Sequence, residues 1–522
     1  MRLLVVPSGL TVSGLSNVLP VAIIRRLAVR IELGWVVFVL SAALALPCIV
    51  FQYLPMVDLP QHEAILSIML HLRSVAFGFD SYYTWAAGRT LYIIPYAAGF
   101  VLAQVMPLRL ALHIVVFCTV LSYPLGIMLC LRALGRPLYL GLFALPLMYN
   151  QSFYWGFINF NLAIGLGFIA LSLLIGNWSR RKAFLVVLVS LATALTHVYG
   201  LVMLGSYMGL WLILGERRAA SRRFIALIPA ALALALWLGL LSKARGFEGF
   251  HWEGFANRWS KLPEAIAGGW RDKSETIFLC CNFLAIVAFS RRTMPITPSR
   301  WKRLSFQQRA TWAFIALHLV LYFSMPELPV AANKAIFRHA EMAALALPLT
   351  VASDDAGAAS MWLRLSLVAL AVAMLGSSWS HFKRFNKEAR SFDAIISAVP
   401  SRSRIVQLTY DRYGKVARVP AYMHFAAYAQ ANKGGLLAVS FPARFWNIPI
   451  AIRSNAILPD VPKGLEWNPQ LFEAGSWGAY FDTVIVRESR SRTPHLPQPF
   501  QYQLQTQSGP WRLYFQQESI HE

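Results

Sequence analysis

Tyr53-Leu-Pro-Met-Val-Asp58-Leu-Pro-Gln-His62-Glu63-Ala64 is the stretch on which the fold turns, because a long apolar run ends there. Ile31 to Tyr53 has about the length needed to cross a bilayer. Asp58, His62 and Glu63 therefore emerge together where hydrocarbon gives way to water. Polar chemistry at that depth can act on a substrate whose tail stays in lipid.

The rest of the chain agrees with a membrane setting. It has 522 residues, 57% hydrophobic and only 14% charged, with a mean hydropathy of +0.51. Soluble domains carry about 25% charged residues. Further apolar runs lie near Leu91–Met106, Leu108–Leu131, Pro137–Met148, Phe153–Ile175, Ala183–Thr196, Val198–Leu214 and Phe224–Leu241. Thr276–Phe289, Thr311–Met325, Met342–Val351 and Met361–Gly376 continue the series. The expected fold is an all-α polytopic helical bundle of about ten to twelve spans, some short enough to be tilted or re-entrant. Net charge is +24, but the cations cluster in short loops such as Arg180-Arg181-Lys182, Arg217-Arg218 and Arg300-Trp301-Lys302-Arg303. That pattern marks cytoplasmic loops touching anionic lipid and points away from nucleic acid. Cys48, Cys118, Cys130, Cys280 and Cys281 all sit in apolar runs without metal-ligand spacing, as small buried hydrophobes do.

Three regions follow: residues 1–30 as a cytoplasmic N-terminal segment, 31–378 as the membrane domain, and 379–522 as a small α/β domain. In the last, Arg404–Tyr410, Leu436–Phe441 and Phe481–Val486 read as strands and Pro420–Gln430 as a helix. Gln501–Thr506 and Trp511–Phe515 read as a hairpin around Ser508-Gly509-Pro510. With the Arg-rich loops inside, loops 54–90, 242–275 and 326–341 face outward, and the C-terminal domain is placed in the periplasm of a bacterial inner membrane.

Two readings of the first external loop coexist. Asp58 can cap the helix that Pro60 opens, with Gln61 as its reciprocal partner. Asp58 and His62 are also four apart and share a helix face. There they can act as general base and assistant, or hold a divalent cation such as Mg²⁺ or Mn²⁺.

One long span, an external loop opening on an acid, many short spans and a C-terminal domain together resemble the GT-C superfamily of membrane glycosyltransferases. The resemblance implies a polyprenyl-phosphate-linked sugar as donor, an envelope glycan or lipid as acceptor, and Asp58 in the place of the family's functional acid. The sequence departs from the better-studied members in Pro60-Gln61-His62 after the acid and in having no paired Asp in later external loops. By the same resemblance a late external loop supplies a cation to the donor phosphate.

Lys334 and Arg338, again four apart in Asn333-Lys-Ala-Ile-Phe-Arg-His339-Ala-Glu341, can clamp one phosphate, with His339 and Glu63 as further substrate contacts. Their bland reading is snorkelling to headgroups. His197 sits at the junction of two apolar runs, either as a helix-end hydrogen bond or as a substrate contact. Asn159 and Asn161 are expected to join helices. Glu248, His251, Glu253, Asp272 and Glu275 lie among Trp252, Trp259 and Trp270, as in a wet interfacial loop with aromatic anchors. No Walker loop, dinucleotide fingerprint, HExxH or nucleophile elbow is present. The expected activity is sugar transfer on the outer face; the alternative is a non-enzymatic transporter of lipid-linked saccharide or an envelope polysaccharide assembly protein.

Overall fold

The computed structural model describes residues 34–215, 217–241, 252–290, 294–295, 297–326, 335–351, 358–489 and 502–517. Among the described residues, three helices are long and apolar enough to cross a membrane: Leu108–Ala133, Ile158–Ile175 and Arg364–Ala398. Shorter apolar helices are Gly34–Val50, Leu138–Leu147, Val198–Leu214, Ile228–Gly239 and Ser274–Ser290. Among the described residues, fewer full-length spans stand than the ten to twelve expected, for local reasons. The run at 91–106 holds only the nine-residue helix Ile94–Leu102, about 14 Å long at 1.5 Å per residue. The run at 137–148 winds as a 3₁₀ segment containing Pro146, buried along its length.

Small residues let the two central helices touch. A Cβ on Gly165 would fall inside the Ser122 hydroxyl, and one on Gly126 would lie 2.7 Å from the Phe168 Cβ, so backbones meet without bulky side chains between them. Asn161 joins the same pair, accepting from the Tyr123 hydroxyl at 2.5 Å, as the sequence suggested. The Asn159 amide oxygen has no such partner.

The C-terminal domain carries a five-stranded sheet in the order β3-β2-β5-β7-β6. Its strands are β2 Arg404–Thr409, β3 Leu436–Leu437, β5 Thr483–Arg487, β6 Tyr502–Ser508 and β7 Trp511–Gln516. β2 pairs parallel with β3 and β5, and β5 pairs antiparallel with β7. β2 and β5 are buried along nearly their whole length, as central strands require, with Gln407 interrupting the apolar run of β2. The β6–β7 hairpin turns at Gly509, with φ of 56°. The helix expected at 420–430 lies at Ala426–Lys433. The last apolar helix, Ala358–Ala389, continues past the 378–379 boundary, and its Glu388 meets Arg487 of β5 at 3.1 Å.

Two loops expected to face outward dock on this domain. Tyr83–Trp85 (β1) pairs antiparallel with Ile450–Ile452 (β4). Trp270 bridges Ala417, flanked by Arg418 N donating to Gly269 O at 2.7 Å. The Leu59–His71 helix joins them: Gln61 donates to Val439 O at 2.8 Å and accepts from Phe441 N at 3.1 Å, while Ser67 donates to Ala431 O at 2.6 Å. The seam between helical bundle and sheet domain thus runs along the stretch that opens with Asp58.

Candidate functional site

Asp58 occupies the N-cap position of the Leu59–His71 helix, yet its side chain makes no capping bond. Its backbone is αR, with φ of −93° and ψ of −6°, rather than the extended conformation that aims a cap side chain at the first turn. Gln61 is committed to Val439 and Phe441, so the capping box does not form. The carboxyl is released from local duty.

A second loop fixes where it sits. Val57 N and Asp58 N donate to the carbonyls of Tyr154 and Trp155 at 2.9 and 3.2 Å. Gly156 follows with φ of 86°, and a Cβ there would lie 2.8 Å from Asp58 N and 2.9 Å from its Cβ. Glycine is required twice over, by backbone and by contact. The same loop is gripped from behind: Glu341 accepts from Ser152 N and Oγ, both at 2.7 Å, and Glu275 accepts from the Tyr154 hydroxyl and from Gly269 N.

The Asp58 side chain is 15% exposed, and the nearest basic group is His424 of the C-terminal domain, whose Nε2 lies 3.6 Å from Oδ1. Burial pushes the Asp58 carboxyl up to about 8, because the charged form loses hydration without gaining a cation. Burial likewise pushes His424 down to about 3, helped by Arg444 behind it. A carboxyl that titrates near neutrality is suited to take a proton from a hydroxyl.

His62 does not share that role. Its Nε2 lies 3.0 Å from Gly156 O and its Nδ1 2.7 Å from the Tyr96 hydroxyl. A carbonyl only accepts, so Nε2 carries the proton and Nδ1 accepts from Tyr96. Burial pushes the imidazole down to about 4, keeping it neutral. Both nitrogens are thus spent holding the Gly156 loop against the helix. Among the described residues no group of three or more His, Cys, Asp or Glu side chains is arranged to hold a metal, and the donors offered to a cation at Asp58 are its own carboxylate and His424.

Glu63 is buried and closes a bidentate pair with Arg109, at 2.9 to 3.2 Å. The guanidinium lies over the rings of Tyr53 and Tyr428, 5.1 and 4.6 Å from their centroids. That pair ties the Leu59–His71 helix, the Leu108–Ala133 helix and the C-terminal domain together, rather than reaching toward a substrate.

Arg338, on the Ala335–Ala346 helix, lies in an aromatic box. Its Cζ is 5.0 Å from the Phe157 centroid and 5.1 Å from those of Phe160 and Tyr199. His197 Nε2 is 3.5 Å from its Nη1, the Nε has no hydrogen-bond partner, and among the described residues no carboxylate forms an ion pair with it. Such a cation retains most of its charge for an anion. Phe157 stands two residues beyond Trp155, which holds Asp58 N, a Cα separation of at most about 7 Å. Asp58 and Arg338 therefore flank one loop.

His197 takes the helix-end reading: its Nδ1 accepts from Tyr199 N at 3.1 Å as an N-cap, and its ring stacks on Tyr92 at 4.5 Å. His339 Nδ1 meets His318 Nδ1 at 2.8 Å, pointing it into the helix packing beside Arg338. Lys334 lies outside the described residues, as do Glu248 and His251. Asp272 is held by His381 at 2.5 Å, and Glu253 by Lys261. Sequence reasoning missed Gly156, Tyr96, Phe157, Phe160, Tyr199 and His424. Only Gly156, between an apolar run and two amides, left a local trace.

No protein-family model matches the chain, and no curated protein matches it. Among solved structures, it is similar to the crystal structure of ArnT from Cupriavidus metallidurans bound to undecaprenyl phosphate, with a TM-score of 0.45 and 10% identity over 94% of this chain and 97% of that one.

Proposed function

We propose that this chain is an integral membrane glycosyltransferase of GT-C type that moves a sugar from a polyprenyl-phosphate donor to an envelope glycan or lipid on the periplasmic face. The observation that carries the reading is Asp58: a carboxyl at a helix start that caps nothing, pairs with no Lys or Arg among the described residues, and is pushed up to about 8. Keeping such a group buried costs stability, and proton abstraction is a use that repays it. Arg338, which among the described residues forms no ion pair with a carboxylate, supports an anionic substrate group.

In this mechanism the ionised Asp58 takes the proton of the acceptor hydroxyl as its oxygen attacks the sugar's anomeric carbon. The bond from that carbon to the phosphate oxygen breaks, and polyprenyl phosphate leaves with the bonding pair. Arg338, with Lys334 beside it in sequence, neutralises the charge that grows on the departing phosphate. The flanking apolar helices accommodate the prenyl tail, and the C-terminal domain shapes the acceptor side.

The test is complementation of a deletion strain with Asp58→Asn, at membrane abundance matched to wild type, with envelope glycans profiled in the same cells. Loss of one glycan identifies the product and supports catalysis at this loop. Full function from the Asn variant overturns it and favours a transport or assembly role.

A further inference from the structure

The C-terminal domain brings one side chain to the catalytic carboxyl, and the contact crosses the seam between two parts of the chain. His424 Nε2 stands 3.6 Å from Asp58 Oδ1, slightly beyond hydrogen-bond length. The approach is held on several sides. His424 precedes the Ala426–Lys433 helix, which packs on the Asp58 helix through the Ser67–Ala431 bond. Phe441 lies edge-on to both His424 and His62, at centroid distances of 5.8 and 5.9 Å. Gln61 bonds Phe441 N, and the β1–β4 pair closes the same seam. The imidazole is therefore delivered by domain docking, and the loop that carries Asp58 cannot supply its like: His62, the loop's own imidazole, is fully occupied.

We infer that His424 is a positioning residue for Asp58, its Nε2–H closing onto Oδ1 when the carboxyl ionises and holding the base toward the acceptor. The inference rests on the transferase reading for the word base, but the contact itself does not. Chemically the step is modest. His424 stays neutral throughout, so no proton is passed on; an ionised carboxylate selects the tautomer with hydrogen on Nε2, and the bond stabilises the charged form. The other groups facing Asp58 have different effects. Tyr96 on the Ile94–Leu102 helix spends its hydroxyl on His62. Arg444 of the C-terminal domain lies behind His424, 3.5 Å from Glu466 and 3.2 Å from Pro462 O. Docking of the sheet domain thus tunes the pH at which the membrane-side carboxylate becomes available.

The experiment is an infrared titration of the purified full chain in lipid nanodiscs, without substrate. The protonated carboxyl C=O band that disappears in Asp58→Asn reports Asp58 alone. Against wild type, His424→Phe removes the donor while keeping a ring, and His424→Gln restores an N–H. The Phe variant should raise the midpoint of the band by about one pH unit, and the Gln variant should return most of that rise. Should His424→Phe fail to assemble, His424→Ala replaces it with the same expected rise. A midpoint that does not move on removing the imidazole, or that moves as far with Gln as with Phe, overturns the inference. Because no sugar donor enters the assay, failure of the transferase reading would appear in the glycan profile and not here.

Discussion

Asp58→Asn should make the protein inactive and should gain stability relative to wild type as pH rises above 5. In the folded chain the carboxyl titrates near 8, against an ordinary value of 3.8. Between those limits the folded state binds a proton that the unfolded state has released, so stability falls as pH rises. The penalty approaches zero below pH 4 and grows toward pH 8. At about 1.4 kcal/mol per pH unit, it reaches at most about 4 kcal/mol at pH 7, and grows by up to about 3 kcal/mol between pH 5 and pH 7. An amide at this position has its own fixed cost, since the carboxyl makes no capping bond to inherit. That offset does not depend on pH, so the difference in pH slope is the clean observable. Thermal unfolding midpoints of wild type and Asp58→Asn would be measured in one detergent from pH 5 to pH 8. The wild type should lose ground steadily against the variant as pH rises. Parallel curves, or a wild type gaining on the variant, would refute the claim that Asp58 is a buried, uncompensated carboxyl.

Transfer activity should rise with pH along a limb centred near 8 in wild type, as the base ionises; a rate flat from pH 6 to pH 9 would remove Asp58 from the chemistry. Gly156→Ala should cut turnover by roughly 100-fold at near-normal abundance, because its Cβ displaces the Asp58 backbone, and turnover close to wild type would count against that account. Arg338→Gln should lower kcat/KM by roughly 10- to 100-fold through loss of a charged contact to phosphate, with Arg338→Lys recovering part of it; equal loss in both variants would mark the aromatic box as structural. Glu63→Gln leaves the part-buried Arg109 without its carboxylate and should destabilise by up to about 3 kcal/mol, read as lower membrane abundance with unchanged turnover per folded molecule.

The position of the site was legible because it depends on where apolar residues stop. Asp58 follows the first apolar helix and starts the next, and both facts are local. The loops at 54–90 and 242–275, expected from charge bias to face outward, each hold residues that meet the C-terminal domain. Roles were harder to read, because spacing places residues on a face without saying what waits opposite. Asp58 and His62 are four apart, yet Tyr96 and Gly156 take both nitrogens of the imidazole. Glu63 invited a substrate contact until Arg109, from another helix, filled it. The cage around Arg338 draws Phe157, Phe160 and Tyr199 from two other helices and a loop, and no periodicity announces such a meeting.

The division of labour at Asp58 follows from the same geometry. A membrane-side loop can hold a carboxyl rigidly, since Gly156, Ser152 and Tyr154 anchor it through backbone contacts and two buried glutamates. It hydrates that carboxyl poorly, because the packing that gives the rigidity leaves the side chain only 15% exposed. Among the described residues the basic group nearest that carboxyl is His424, which the C-terminal domain brings to 3.6 Å from it. A domain that only recognised an acceptor could sit farther off. On the transferase reading, a domain that also governs ionisation of the base has to dock where this one does, with Gln61, Ser67 and β1 fastened to it around the carboxyl.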